Sequence, residues 1–270
     1  MWSPPRQYRN ASVANSSLDY HLFSPSVSEP GSRLPLLCFL HGIGDITLRP
    51  SRLTYFTKPQ YQQRLPLFLL RPQAPAPGNW MPGRGPSGIK FKSLGARTHR
   101  VRLHAMLIGL LDQLAAELPI DPRRLVLAGV SMGGYAAWDL LVTLPGRFAV
   151  VIPVCGGVDH RQASLVGSAT AIWAFHSTGD LLVPVSFTRS MVNALAAARG
   201  APLAVTGNES LDHKAGHRLV KRVLVRATAD DRLRYTELEG VRHEQTWGLA
   251  LRDERLHNWT REMLLRVVYS

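Results

Sequence analysis

The stretch Leu125-Val126-Leu127-Ala128-Gly129-Val130-Ser131-Met132-Gly133-Gly134-Tyr135-Ala136-Ala137-Trp138 decides how this chain folds. Leu125 to Ala128 is apolar and strand-like. Tyr135 to Leu144 is compatible with a helix. Between them lies a tight, glycine-rich turn centred on Ser131. A strand that passes into a helix through so sharp a turn holds its central residue in a strained backbone conformation. A Cβ two positions before or after that residue would strike the neighbouring strand or helix, and Gly129 and Gly133 have none. The pattern predicts a Ser131 hydroxyl at the carboxyl edge of a parallel sheet, above a helix N-terminus. Five such residues also occur by chance in an ordinary small-residue turn. Chemically matching residues at other strand exits distinguish the two cases.

Upstream, Leu34 to Leu40 is a continuous apolar run, as expected of a strand buried on both faces. It exits into His41-Gly42-Ile43-Gly44-Asp45. Glycines let a backbone approach a reacting group, and an amide there can face a developing oxyanion. The N–H groups of Ile43 and of Met132 are the expected oxyanion-hole donors. Downstream, Ala169 to Phe175 reads as a strand and leads into His176-Ser177-Thr178-Gly179-Asp180-Leu181-Leu182-Val183-Pro184. Asp180 stands where an acid would orient a catalytic imidazole. Capping the helix that starts near Val185 is the competing role. Leu233 to Leu238 alternates as a strand, and the loop after it carries His243. Ser131, Asp180 and His243, in this chain order and each at a strand exit, form a candidate catalytic triad.

At 270 residues, one α/β domain is the simplest expectation. A hydrophobic content of 45% and a charged content of 19% exclude a disordered chain. No apolar run approaches the ~20 residues of a membrane span. The N-terminal stretch has no apolar centre, so it does not read as a secretory signal, and a cytoplasmic location is expected. The N-x-S/T matches at Asn10, Asn15, Asn208 and Asn258 then read as chance. Cys38 and Cys155 lie in apolar strand-like runs and read as small buried residues, not a disulfide framework. The net charge of +13 allows attraction to an anionic substrate or surface. The aromatic interleaving of a specific nucleic-acid binder is missing, and a solvated basic face is the simpler reading.

Residues 1–17 read as a loose polar arm ahead of a single domain over 18–270. Leu18 to Phe23 and Pro66 to Leu70 read as strands, Ser51 to Gln63 as a short helix, and Thr98 to Leu118 as an amphipathic helix. His104 on the latter reads as structural. The Pro- and Gly-rich stretch 74–97 leaves a strand's carboxyl end, so it is expected to border the site. Trp80 within it is either a wall of that site or a buried anchor. With His41, Gly42 and Trp247 it completes the candidate substrate-contacting set. Phe148 to Cys155 is a further strand. Only a short link separates it from the next, which leaves no room for a large lid. Val185 to Arg199 reads as a helix and residues from about Glu254 as a closing one. Gly200 to Asp231 is polar and irregular, and reads as an insertion with one strand-like piece, Leu219 to Ala227. Asp212, His213 and His217 there have loose metal-ligand spacing, but a surface hairpin is the plainer reading, and no metal or other cofactor is expected.

From about Leu18 to the C-terminus, outside 200–231, these motifs resemble the α/β-hydrolase superfamily. GVSMGGYAAWDL, PGRFAVVIPVCGG, HSTGDLLVP and GVRHEQTW are similar to the polyhydroxybutyrate-depolymerase/feruloyl-esterase-like carboxylesterases, many of them labelled predicted peptidases. LHGIGD and RPQAPAPGNWMP resemble the phospholipase/carboxylesterase group that includes acyl-protein thioesterases. That group usually has Gln after the serine, where Met132 stands here. Dienelactone hydrolases share the fold but use cysteine at the elbow, unlike Ser131. The resemblance implies a mostly parallel sheet flanked by helices, without a large lid domain. It implies a serine carboxylesterase acting through an acyl-enzyme on small-molecule or polymer-linked esters. A thioesterase, acyltransferase or small serine peptidase on the same triad, or a non-catalytic ligand-binding relative, are the alternatives.

Overall fold

Every residue from Leu34 to Leu40 is buried, because helices cover both faces of the sheet it belongs to. The computed structural model describes residues 1–10, 13, 16–26, 31–43, 53–75, 80, 83–84, 90–91, 96–209 and 222–268. In chain order the elements are β1 (Arg6–Arg9), β2 (Ser17–Phe23), β3 (Leu34–Leu40), α1 (Pro59–Arg64) and β4 (Phe68–Pro72). A two-stranded ribbon, β5 (Gly83–Arg84) and β6 (Lys90–Phe91), precedes α2 (Ala96–Glu117). Then come β7 (Ile120–Val130), α3 (Met132–Thr143), β8 (Val150–Val154), β9 (Ala171–Ser177) and α4 (Ser186–Ala198). The chain closes with β10 (Ala204–Glu209), β11 (Arg222–Ala227), β12 (Leu233–Glu239), α5 (His243–Arg252) and α6 (Glu254–Val268).

Ten strands form one sheet in the order β1-β2-β4-β3-β7-β8-β9-β12-β11-β10. The central six, β4 to β12, are mutually parallel, and the outer pairs at each edge are antiparallel. The chain steps from β3 outward to β4, then crosses back to β7 and continues the other way. The carboxyl ends of β3 and β7 therefore flank a topological switch point, where open α/β sheets place their ligands. Side chains alternate between two cores. Leu36, Cys38, Leu125 and Leu127 face one side with residues of α2, α3 and α4. Leu37, Phe39, Val126 and Ala128 face the other with residues of α1, α5 and α6. A 3₁₀ turn over His160–Leu165 occupies the short link between β8 and β9, with no separate lid there. Among the described residues no helix is long and apolar enough to cross a membrane.

Two sequence expectations change. The described residues of 1–17 do not form a loose arm: β1 pairs antiparallel with β2, and Trp2 bridges to Phe23. Tyr8 anchors it, packing over α2 at Gly109, where a Cβ would lie 2.2 Å from the Tyr8 hydroxyl. The described residues of the 200–231 insertion are more regular than expected. β11 pairs with β12 and with β10, extending the main sheet. Val223, Val225 and Ala227 alternate inward along β11. The edge strand β10 is polar and its register shifts between Val205 and Gly207, so it carries little strand signal. Asp212, His213 and His217 lie outside the described residues.

The helical layer on the second face includes one buried titratable group with a stability consequence. His257 stacks on Tyr55 with centroids 4.6 Å apart and meets Phe56 and Tyr61 edge-on. Burial pushes its imidazole down to about 4. The unfolded chain takes up this proton near ~6.5, so stability is complete above that pH and is lost as pH falls through about 4. The expected loss across that window is about 3 kcal/mol. His257→Phe should flatten the pH dependence of the urea unfolding midpoint between those limits. An unchanged pH dependence would show that this ring titrates freely.

Candidate active site

Ser131 sits between β7 and α3 with φ 56 and ψ −117. Positive φ in a residue with a Cβ costs about 1–3 kcal/mol and persists only where the surroundings enforce it. Three close packings enforce it here. A Cβ on Gly129 would lie 2.0 Å from the Gly133 carbonyl oxygen, one on Gly133 2.0 Å from the Leu40 oxygen, and one on Gly134 2.4 Å from the Val154 oxygen. The elbow is thus wedged against both neighbouring strand ends. Gly133→Ala must displace backbone, so a destabilisation of about 3 kcal/mol is expected in urea unfolding. A near-wild-type midpoint would mean that the turn tolerates a side chain there.

The wedge leaves the hydroxyl partly exposed. His243 Nε2 lies 2.8 Å from Ser131 Oγ. On the other side of the ring, Nδ1 lies 2.5 Å from Asp180 Oδ2. The structure brings together the three side chains that the sequence left far apart, on the exits of β7, β9 and β12. His243 is the first residue of α5 rather than a mid-loop residue, and α5 fixes its direction. Asp180 does not cap α4, whose N-cap position is Val185. Its Oδ1 instead accepts the amides of Leu182 (3.0 Å) and Val183 (2.8 Å), which frees Oδ2 for the imidazole. Burial raises the Asp180 pKa, but hydrogen bonds from His176, His243 and the Val183 amide outweigh it and hold the carboxyl well below the usual carboxylate range. It is therefore ionised at neutral pH.

Gly42 brings the exit of β3 beside the serine: a Cβ there would lie 3.3 Å from Ser131 Cβ and 3.1 Å from the Trp247 ring. Ile43 follows at once, and Met132 supplies the first amide of α3. Gly44 and Asp45 lie outside the described residues. Trp247 packs edge-on against His243 with centroids 5.1 Å apart, holding the ring in place. His41 and Trp80 are tied to backbone groups, and Trp80 takes the buried-anchor position. Both are buried. His41 Nε2 accepts the Ala74 amide at 3.0 Å, so Nδ1 carries the proton and donates to the Gly42 carbonyl at 2.8 Å. Trp80 Nε1 donates to the His41 carbonyl at 3.0 Å. The pair fastens the loop after β4 to the loop after β3. His104 pairs with Asp139 of α3 at 3.1 Å, as a structural tie.

Two more side chains lie against the site: Cys155, read from the sequence as a small buried residue, and His176, which the sequence did not single out. Cys155, at the exit of β8 with φ 49, lies with Asp180 and His243 in a buried group whose candidate ligand atoms are all within 4.8 Å. A metal would need its thiolate, and burial pushes the thiol well above its ordinary value. The Asp180–His243 hydrogen bond already uses the other two donors. His176 lies 3.3 Å from Asp180 Oδ2. Its place in the quoted HSTGD stretch was the only signal available.

A model of the prolyl oligopeptidase family matches residues 81–173, which include Ser131 but neither Asp180 nor His243. Among curated proteins none matches this chain in sequence. Solved structures do. A thermostable esterase matches with TM-score 0.70 and 24% identity, over 96% of this chain and 62% of that one. An acetyl xylan esterase from Aspergillus awamori matches with TM-score 0.61 and 11% identity, over 95% and 100%. A puromycin-hydrolysing peptidase of Mycobacterium tuberculosis matches with TM-score 0.61 and 15% identity, over 97% and 39%. The chain thus spans less than two thirds of the esterase and of the peptidase. It has the α/β-hydrolase fold.

Proposed function

We propose that this protein is a serine hydrolase that cleaves carboxylic esters through an acyl-enzyme on Ser131. The observation that carries this reading is the continuous line Ser131 Oγ–His243–Asp180, at 2.8 and 2.5 Å. Nε2 of His243 takes the hydroxyl proton as Oγ attacks the ester carbonyl. The carbonyl oxygen becomes an oxyanion held by the amides of Ile43 and Met132. Collapse expels the alcohol, which takes the proton from Nε2. Water then attacks the acyl-serine by the same steps, giving the acid and free Ser131. Asp180 keeps Nδ1 protonated and stabilises the transient imidazolium. Activity falls as pH drops, because a protonated His243 cannot act as base. A rate that stays flat from neutral into mildly acidic pH would contradict that role.

A second reading, amide hydrolysis on the same triad, is favoured by the prolyl oligopeptidase match over residues 81–173. Chromogenic esters and thioesters of graded acyl length, run beside aminoacyl anilides, separate the two. The expected result is Ser131-dependent turnover of esters far above anilides. Anilides turned over as fast as esters would replace the ester reading. The net charge of +13 would attract anionic substrates, small or polymer-linked. For those, kcat/KM should fall with added salt, and a salt-independent value would remove that preference.

A further inference from the structure

The imidazole of His176 has no exposed surface, and neither has the Asp180 carboxylate beside it. Both ring nitrogens face oxygen. Nδ1 is 2.7 Å from Thr188 Oγ1. That hydroxyl has a single proton, which it donates to the Gly156 carbonyl at 2.9 Å. Nε2 is 3.0 Å from the Val183 carbonyl and 3.3 Å from Asp180 Oδ2. With the Thr188 proton spent on Gly156, every atom around the ring is an acceptor, and each nitrogen needs a proton of its own. Charge balance points the same way. A fully buried carboxylate is costly unless a counter-charge accompanies it. The Leu182 and Val183 amides and a resting, neutral His243 offer only dipoles.

We infer that His176 is a positioning residue for the reaction, an imidazolium that carries protons on both nitrogens and pins Asp180 against His243 while offsetting its charge. The inference rests on the reading of Ser131, His243 and Asp180 as a catalytic triad. The surrounding groups leave this role to His176. From α4, Arg189 is turned to Glu237, with contacts of 2.6 and 2.7 Å. Glu237 is the register partner of His176 on β12, and it also accepts the Tyr235 hydroxyl at 2.7 Å. From the exit of β8, Cys155 is a buried thiol rather than an anion. From α5, His243 spends its Nδ1 proton on Asp180.

The sign of the effect follows. A cation beside Asp180 weakens the pull of that carboxylate on a second proton at His243. Without it, His243 stays protonated to higher pH and the base is lost sooner. In His176→Gln the acid limb of kcat/KM should move up by on the order of one pH unit. Thr188→Val, which removes the acceptor for Nδ1–H, should move it the same way. A packing role alone would lower kcat without moving the limb. The full-length wild type, labelled with ¹⁵N at histidine, gives an independent reading: two N–H signals from the His176 ring at neutral pH. An acid limb in His176→Gln superimposable on the wild type, or one N–H signal from the wild-type ring, would overturn the inference. If neither variant folds, the wild-type spectrum alone decides. Should the wild type lack Ser131-dependent hydrolysis, the proposed function fails, while the two-proton ring is still tested by that spectrum.

Discussion

Ser131→Ala is expected to lower kcat for ester hydrolysis by a factor on the order of 10⁴–10⁶ with no loss of fold. The substitution removes one atom, the Oγ that stands 2.8 Å from His243 Nε2. Everything that builds the elbow is backbone: the contacts of Gly129, Gly133 and Gly134 with neighbouring carbonyls, and the Ser131 amide donating to the Val154 carbonyl at 2.9 Å. Alanine occupies the same φ of 56 at a similar cost, so the circular dichroism and unfolding midpoint should match the wild type. The residual rate comes from bound substrate and the oxyanion donors acting on water. Steady-state turnover of a chromogenic ester measures the effect. A loss of less than about tenfold would mean that another group is the nucleophile.

Asp180→Asn should cost a factor on the order of 10⁴ in kcat. Size is kept, and the amide oxygen can still accept from Leu182 and Val183. The atom facing His243 Nδ1 then becomes an NH₂ donor. Nδ1 must turn acceptor, the proton moves to Nε2, and Nε2–H points at the Ser131 hydroxyl. The ring can no longer take the serine proton. KM should change little, because Asp180 is buried away from substrate. A kcat within about tenfold of the wild type would show that the carboxylate is a loop cap only.

Much of this site was legible in the sequence because each part ends a strand. Leu34 to Leu40 and Leu125 to Ala128 are short apolar runs bounded by turn residues, which read as buried parallel strands, and the residues after them then lie along one edge. That logic located Ser131, Asp180 and His243 without any distance. The sheet edges were not legible. Arg6 to Arg9 and Ala204 to Glu209 are half-solvated strands held by backbone pairing, which side-chain pattern does not record. His41 and Trp80 stand in the right loops for ligand contact, yet their polar atoms satisfy backbone groups. Which way a loop side chain turns depends on partners in a different loop. His176 was hidden for the same reason, since its ring meets Thr188 of α4 and the Val183 carbonyl, and the direction of the Thr188 hydroxyl is set by Gly156 from a third segment.

The nucleophilicity of Ser131 is the claim on which the rest depends, and a fluorophosphonate probe tests it most directly. Folded protein treated with the probe and mapped by mass spectrometry should carry one adduct, on Ser131. Labelling should fade as pH drops, and Ser131→Ala and Asp180→Asn should show little or none. Folded wild-type protein that takes up no probe, or takes it up on a residue other than Ser131, would contradict the account.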